Sequence, residues 1–273
     1  MAAGYPFKLM IFAPSVAEAL ETVCQKIVEA QKNSGRKQGV QIVAAAKNVE
    51  VGKILEAIEA GLTTLGENRI QEAISKIEAI GHRANWRMIG HLQSNKVKKA
   101  VEYFDAIDSV DSFKLAAEIS KAARTQNRRM PVLLEVNTSG EVSKYGLSPE
   151  NTVAEAEKIA GLENLSAHGL MTIGPMTSDQ KKQRAAFARL RQLFEEIEQR
   201  KIFGPLFRHL SMGMSADYPT AVEEGATMVR LGTTIFGPRP AELKKTVNPS
   251  THPGNRGSLG TSPSTSSGYK EVI

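Results

Sequence analysis

A single cysteine, Cys24, among 273 residues leaves no partner for an internal disulfide and fits a chain that works in a reducing compartment. No stretch approaches the roughly 18 apolar residues that a membrane-spanning helix needs, so no membrane association is expected. The opening MAAGYPFKLMIFAP carries an apolar run too short for the core of a secretory signal, and a cytoplasmic location is expected. Aromatic residues are only 5% of the chain, and neither an RNP motif nor zinc-finger spacing accompanies the formal charge of +6. The basic excess lies in helical segments such as KVKK and DQKKQR, where a solvated surface explains it, so nucleic acid is not an expected partner. His82, His209 and His252 share no metal-ligand spacing, and no metal is expected.

What is present is the make-up of a globular protein, 41% hydrophobic and 23% charged, long enough to bury a substantial core. Residues 1–14 read as a loose leader. Ser15 and Glu18 are spaced as a capping box ahead of Leu20, Val23, Cys24, Ile27 and Val28, which predicts a helix over 15–33. Eight short apolar runs follow, at 39–46, 62–66, 86–89, 105–109, 130–137, 166–172, 206–211 and 227–231. Helical segments separate them. Residues 50–60 stop at Gly61, a natural residue to follow a helix end. Ser148-Pro149 predicts a helix over 149–161, and Phe187, Leu190, Leu193, Phe194 and Ile197 stripe 180–200. Weaker helical patterns lie near 69–80, 93–102, 112–125 and 216–224. Eight strands alternating with helices predict an α/β fold, a single (β/α)8 TIM barrel over 15–240, with an extra N-terminal helix. A doubly wound open sheet is the alternative, and it lacks the GxGxxG of a dinucleotide-binding version. Residues 241–273, with NPSTHPGNRGSLGTSPSTSSG, are too poor in apolar groups to offset their ordering entropy and read as a disordered tail.

Barrel chemistry collects where strands end and βα loops begin. The first strand ends on Lys47, and closing an apolar run on an ammonium costs several kcal/mol unless the group is used. The next exits are GENR (66–69), GHLQSNK (90–96), Asn137 with Thr138, LMTIGPM, SMGMSAD (211–217) and RLGTTIFG (230–237). Loops after the last two strands of a barrel often hold phosphate with backbone N–H groups, and these two supply hydroxyls beside Gly232. The plainer reading makes Ser215 or Asp217 a helix N-cap and Gly232 a turn residue. A lysine facing a phosphate cradle suggests a phosphorylated carbonyl compound held as a Schiff base. Pyridoxal 5′-phosphate (PLP) and the sugar phosphate of a class I aldolase both fit at this point.

The segments VAAAKNV, GENRIQEA, WRMIGHLQSNK, VLLEVNTSGEVSKYGL, HGLMTI and LSMGMSADYPTAVEEGATMVRLGTTIFG resemble the pyridoxal-phosphate homeostasis family (YggS/PROSC-like) over about 15–240. That resemblance implies the barrel of fold-type III PLP proteins, as in the N-terminal domain of alanine racemase, with Lys47 as the Schiff-base lysine. It implies phosphate held by Ser211, Gly232 and Thr233, with Ser215 as a further candidate. Arg230 would face the pyridine nitrogen, and Asn68, His91 and Met171 would surround the ring. The sequence departs from relatives in having alanines before Lys47 and in its long tail.

A cation at the pyridine nitrogen makes PLP a poorer electron sink. Alanine racemase-like enzymes also draw a tyrosine base from a second β-domain, which the short Ser/Pro tail cannot build. The expectation is therefore a non-catalytic, monomeric PLP carrier that serves intracellular PLP homeostasis, with apo PLP-dependent enzymes as recipients. A racemase-like enzyme of weak or unknown activity is the alternative.

Overall fold

The computed structural model describes residues 14–238. The tail expected over 241–273, and all of the leader except Pro14, lie outside the described residues. Helix α1 (Val16–Ser34) starts at Ser15, whose hydroxyl accepts from the Glu18 amide while the Glu18 carboxylate accepts from the Ser15 amide at 2.8 Å. The capping box is thus formed as expected, satisfying N–H groups that have no partner within the helix. Leu20, Val23 and Ile27 are buried, whereas Cys24 and Val28 face solvent.

Strand β1 (Gln41–Ala45) is followed by α2 (Val51–Glu59), β2 (Thr64–Glu67), α3 (Ile70–Ile80), β3 (Asn85–Met88) and α4 (Val97–Tyr103). The chain continues through β4 (Ala106–Val110), α5 (Phe113–Thr125), β5 (Met130–Glu135), α6 (Thr152–Ala160) and β6 (Leu165–Met171). It ends in α7 (Gln180–Gln199), β7 (His209–Met214), α8 (Tyr218–Glu223), β8 (Met228–Leu231) and α9 (Thr233–Phe236). Every strand pairs in parallel with its chain neighbours, and β1 pairs with β8, so the sheet closes as an eight-stranded barrel. That closure removes the doubly wound alternative.

Two differences from the sequence reading have clear causes. The helix expected from 149 starts at Thr152, because Ser148 to Asn151 form a turn in which the Ser148 carbonyl accepts from both the Asn151 amide and the Thr152 hydroxyl. The seventh strand begins at His209 rather than 206, because a turn joins the Phe207 amide to the Gly204 carbonyl. Phe207 then stacks on Phe194 of α7, with ring centroids 4.9 Å apart. The short α9 is an element that the sequence reading did not resolve.

Packing follows the two periodicities. Phe187, Leu190, Leu193 and Ile197 of α7 are all buried against the barrel wall, each contributing roughly 2 kcal/mol by leaving water. Inside the barrel, alternate strand residues face inward. Val43, Ile89, Leu133, Met171 and Met228 form a separate apolar cluster there, with Ala45 against it. On the same inner face, Arg87 grips Asp108 with two hydrogen bonds, at 2.8 and 2.6 Å.

Candidate functional site

The barrel mouth is built by strand parity. Val43 and Ala45 face inward from β1, and Lys47 follows two residues past the strand end, in the turn that the Val49 amide closes on the Ala46 carbonyl. Beside it on β2, a Cβ on Gly66 would lie 2.7 Å from Ile89 Cδ1 and 2.9 Å from Val43 Cγ1, so only glycine leaves that inner space open. Immediately after Lys47, Asn48 turns the chain with φ +58°, the left-handed conformation that asparagine tolerates better than most residues.

On the opposite seam, β8 sends Arg230 inward. It is buried, and its guanidinium donates to the Ser211 carbonyl at 2.9 Å, the Ser211 hydroxyl at 2.8 Å and the Thr172 carbonyl at 2.7 Å. Burial pushes its pKa below the ordinary arginine value, opposed by Asp108, Glu135 and Asp217. Glu135 ends β5 on the same inner face, with its carboxyl raised to about 7. Desolvation drives that shift, Arg230 opposes it, and the negative charge of Asp111 adds to it.

The two loops expected to hold phosphate meet. The Ser215 hydroxyl accepts from the backbone amides of Gly232 and Thr234, each at 3.3 Å, at the start of α9. Of the two N-cap candidates in the plainer reading, Ser215 is therefore not the cap of its following helix. Asp217 occupies that N-cap position, yet its carboxylate turns back to the Met214 amide at 2.6 Å. Thr233 is the first residue of α9 and is half-buried. Met171 lies fully buried in the inner cluster.

Asn68 and His91 come together at another part of the rim, lining a cavity of about 310 Å³ with Gly90, Gln93 and Lys96. The β2 and β3 exits run so close there that a Cβ on Gly90 would sit 2.5 Å from the Asn68 carbonyl oxygen. His91 Nδ1 lies 3.2 Å from Asp111, and the His91 ring stacks on Tyr145 with centroids 3.6 Å apart. Tyr145, which had no role in the sequence reading, is thus a stacking partner for a site candidate.

A family model described as alanine racemase, N-terminal domain, matches residues 18–240. The pyridoxal phosphate homeostasis protein of Vibrio cholerae is 39% identical over 231 residues, 82% of this chain and 97% of that protein. The chain belongs to the pyridoxal phosphate homeostasis protein family. Another family member, from Aquifex aeolicus, is 40% identical over 227 residues, covering 82% of this chain and 99% of that one. PipY of Synechococcus elongatus PCC7942, solved with PLP bound, is 36% identical with a TM-score of 0.70, over 81% of this chain and 100% of that one. Alanine racemase of Clostridium difficile 630 shares the fold, with a TM-score of 0.64 at 16% identity, over 82% of this chain and 56% of that one.

Three groups in this member of the homeostasis protein family escaped the sequence reading. Glu135 stood in plain view in VLLEVN, a lone carboxylate closing an apolar run, the same signal that marked Lys47. Thr172, whose carbonyl receives Arg230 and whose hydroxyl lies 2.9 Å from that of Thr138, looked like an ordinary strand-end residue. The cluster of Glu67, Glu72 and Lys76 behind Lys47 spans β2 and α3, and its meeting depends on how that helix lies on the barrel. Among the described residues, no group of three His, Cys, Asp or Glu side chains could hold a metal ion, and no helix is long and apolar enough to cross a membrane.

Proposed function

We propose that this protein binds PLP as a Schiff base on Lys47 and serves intracellular PLP homeostasis as a carrier, without turning over a substrate of its own. The observation that carries the reading is the shared inner face of β1 and β8. Val43 pairs with Arg230 across that seam, and Lys47 follows β1 at the same end of the barrel as the loop that leaves β8, which supports a ligand held between them. The donor set fits the cofactor. An amine suits an aldehyde, and the Gly232 and Thr234 amides at the start of α9, which donate to the Ser215 hydroxyl, suit a phosphate that would accept from them in place of that hydroxyl. The space kept open at Gly66 suits a flat ring. PLP contributes a reactive aldehyde on a phosphate-bearing ring. Lys47 would hold that aldehyde as a Schiff base, with the carbonyl oxygen and two protons released as water.

The remaining assignments belong to the same proposal. Ser211, Ser215, Gly232 and Thr233 bind the phosphate, Arg230 faces the ring nitrogen, and Asn68, His91 and Met171 surround the ring. A buried arginine donates and cannot accept, so it holds the ring nitrogen unprotonated and works against chemistry that needs a strong electron sink. The relatives named as homeostasis proteins support a non-catalytic role. The protein acts as a cytoplasmic monomer and passes PLP to apo-enzymes.

Purified protein should be yellow, and borohydride should fix the cofactor to Lys47, read by mass spectrometry of the Lys47 peptide. Colourless protein that PLP cannot reconstitute overturns the proposal. A second reading, a racemase-like enzyme, draws on the His91–Asp111 pair, since a histidine oriented by a carboxylate is a general base in form. Deuterium exchange at the α-carbon of an amino acid, abolished by His91→Ala, would favour that enzyme.

A further inference from the structure

Behind the end of β1 lies a set of charges that the cofactor reading leaves without a task. Lys76 of α3 is buried, yet its ammonium makes three hydrogen bonds: to the Ala46 carbonyl at 2.7 Å, to Glu67 at 2.6 Å and to Glu72 at 3.3 Å. Glu67 is fully buried and its second oxygen, Oε2, has no hydrogen-bond partner among the described residues. Glu72 in turn accepts a hydrogen bond from the Asn48 amide. Burial raises the Glu67 carboxyl above its ordinary value, with Lys76 opposing. For Glu72 burial works in the same sense, but the Asn48 amide and Lys76 outweigh it and hold that carboxyl below the ordinary range.

Stability is a poor explanation for such a cluster. Taking an ammonium and a carboxylate out of water costs several kcal/mol for each ion, and well-packed apolar residues often serve a fold equally well. What apolar residues could not do is grip backbone. The two peptide groups held here are those on either side of Lys47: the Ala46 carbonyl before it and the Asn48 amide after it. The Ala46 carbonyl also receives the Val49 amide at 3.0 Å, which closes the turn that Asn48 makes at positive φ. A left-handed residue persists where its surroundings over-determine it, and Glu72 supplies that hold.

We infer that Lys76 and Glu72, with Glu67 fixing Lys76, form a clamp that positions Lys47 for its Schiff base by immobilising the backbone on both sides of it. These are positioning residues, acting through Lys47 and not on the ligand. The inference rests on the Schiff-base reading above and goes beyond it, because it assigns the outer face of β2 and one face of α3 to the lysine's geometry. PLP binding that does not involve Lys47 is then indifferent to the clamp.

The test is a cycle of PLP dissociation constants, measured with inorganic-phosphate buffer excluded, for the full chain and for Lys47→Ala, each with and without Glu72→Ala. Glu72 carries the substitution because its side chain is 23% exposed and its loss strands no fully buried ion. Lys76→Met/Glu67→Gln, which removes the buried pair together, serves as the second variant. Thermal melts establish that each variant is folded. Groups that act as a unit couple strongly, so Glu72→Ala is expected to weaken PLP binding about tenfold when Lys47 is present. It is expected to leave the already weaker binding of Lys47→Ala unchanged, and Lys76→Arg should retain most of the wild-type affinity. Equal weakening in both backgrounds, or none in either, overturns the clamp alone. Should Lys47→Ala itself bind PLP as the full chain does, the Schiff-base reading falls, and the clamp with it.

Discussion

Arg230 and Ser211 are joined twice inside the barrel, the guanidinium of one donating to both the carbonyl and the hydroxyl oxygen of the other at 2.9 and 2.8 Å. A single side chain thereby locks the last two strands at the level where their loops diverge. Its charge also offsets three carboxylates, Asp108, Glu135 and Asp217. Replacing it should be costly. Arg230→Leu leaves the carboxylates without their cation and should cost about 3 kcal/mol in urea denaturation at neutral pH. A loss under 1 kcal/mol would show that the charges are solvated and the pairing idle.

Glu135 makes stability depend on pH in a direction opposite to that of an ordinary paired carboxylate. Its folded pKa, about 7, stands above the usual 4.5, so the folded state favours the protonated form. The contribution is therefore fully present below about 4.5 and is lost as pH rises through about 7. Glu135→Gln fixes a neutral group at this position. Relative to that variant, the wild type should lose about 3 kcal/mol between pH 4.5 and pH 8, measured by urea midpoints at each pH. Parallel curves for the two proteins would contradict the burial of this carboxyl.

His209 lies toward the other end of the barrel, and burial lowers its pKa to about 4, with the nearby cations Arg87 and Arg208 acting in the same sense. The folded state holds it neutral, so its contribution is present above the usual 6.5 and declines as pH falls toward about 4. An NMR titration should find the His209 ring neutral at pH 5.5. A midpoint near 6.5 would mean that the ring is open to water.

The space at Gly66 can be filled by design. Gly66→Val should push against Ile89 and Val43, costing about 1 to 3 kcal/mol of stability, and should close the mouth beside Lys47. The variant is expected to purify with little or no yellow colour while keeping its helical far-ultraviolet spectrum. Full cofactor content would show that the ring lies elsewhere.

Much of this was legible in one dimension. The eight strands and their helices could be read because period-2 and period-3.6 patterns are local, and Lys47 stood out because a charge ended an apolar run. Boundaries were less secure where a turn competed with an element, as at Ser148 to Asn151 and at Gly204 to Phe207, since their hydrogen bonds depend on the neighbouring chain. Ser215 shows the limit well. Its sequence context says N-cap, and only the approach of the β8 loop turns its hydroxyl to the Gly232 and Thr234 amides.

The amino-acid sequence by itself determined the alternation of strands and helices, the place of Lys47 just past the first strand and the residue types at each strand exit, because these follow from spacing along the chain. Tertiary structure alone decided the company those residues keep. Arg230 meets Thr172 across 58 positions, and α3 brings Lys76 to Ala46 across 30. Such meetings depend on how the barrel closes from β8 to β1 and on how each helix lies over its strands. Those are relations in three dimensions, and no local periodicity encodes them.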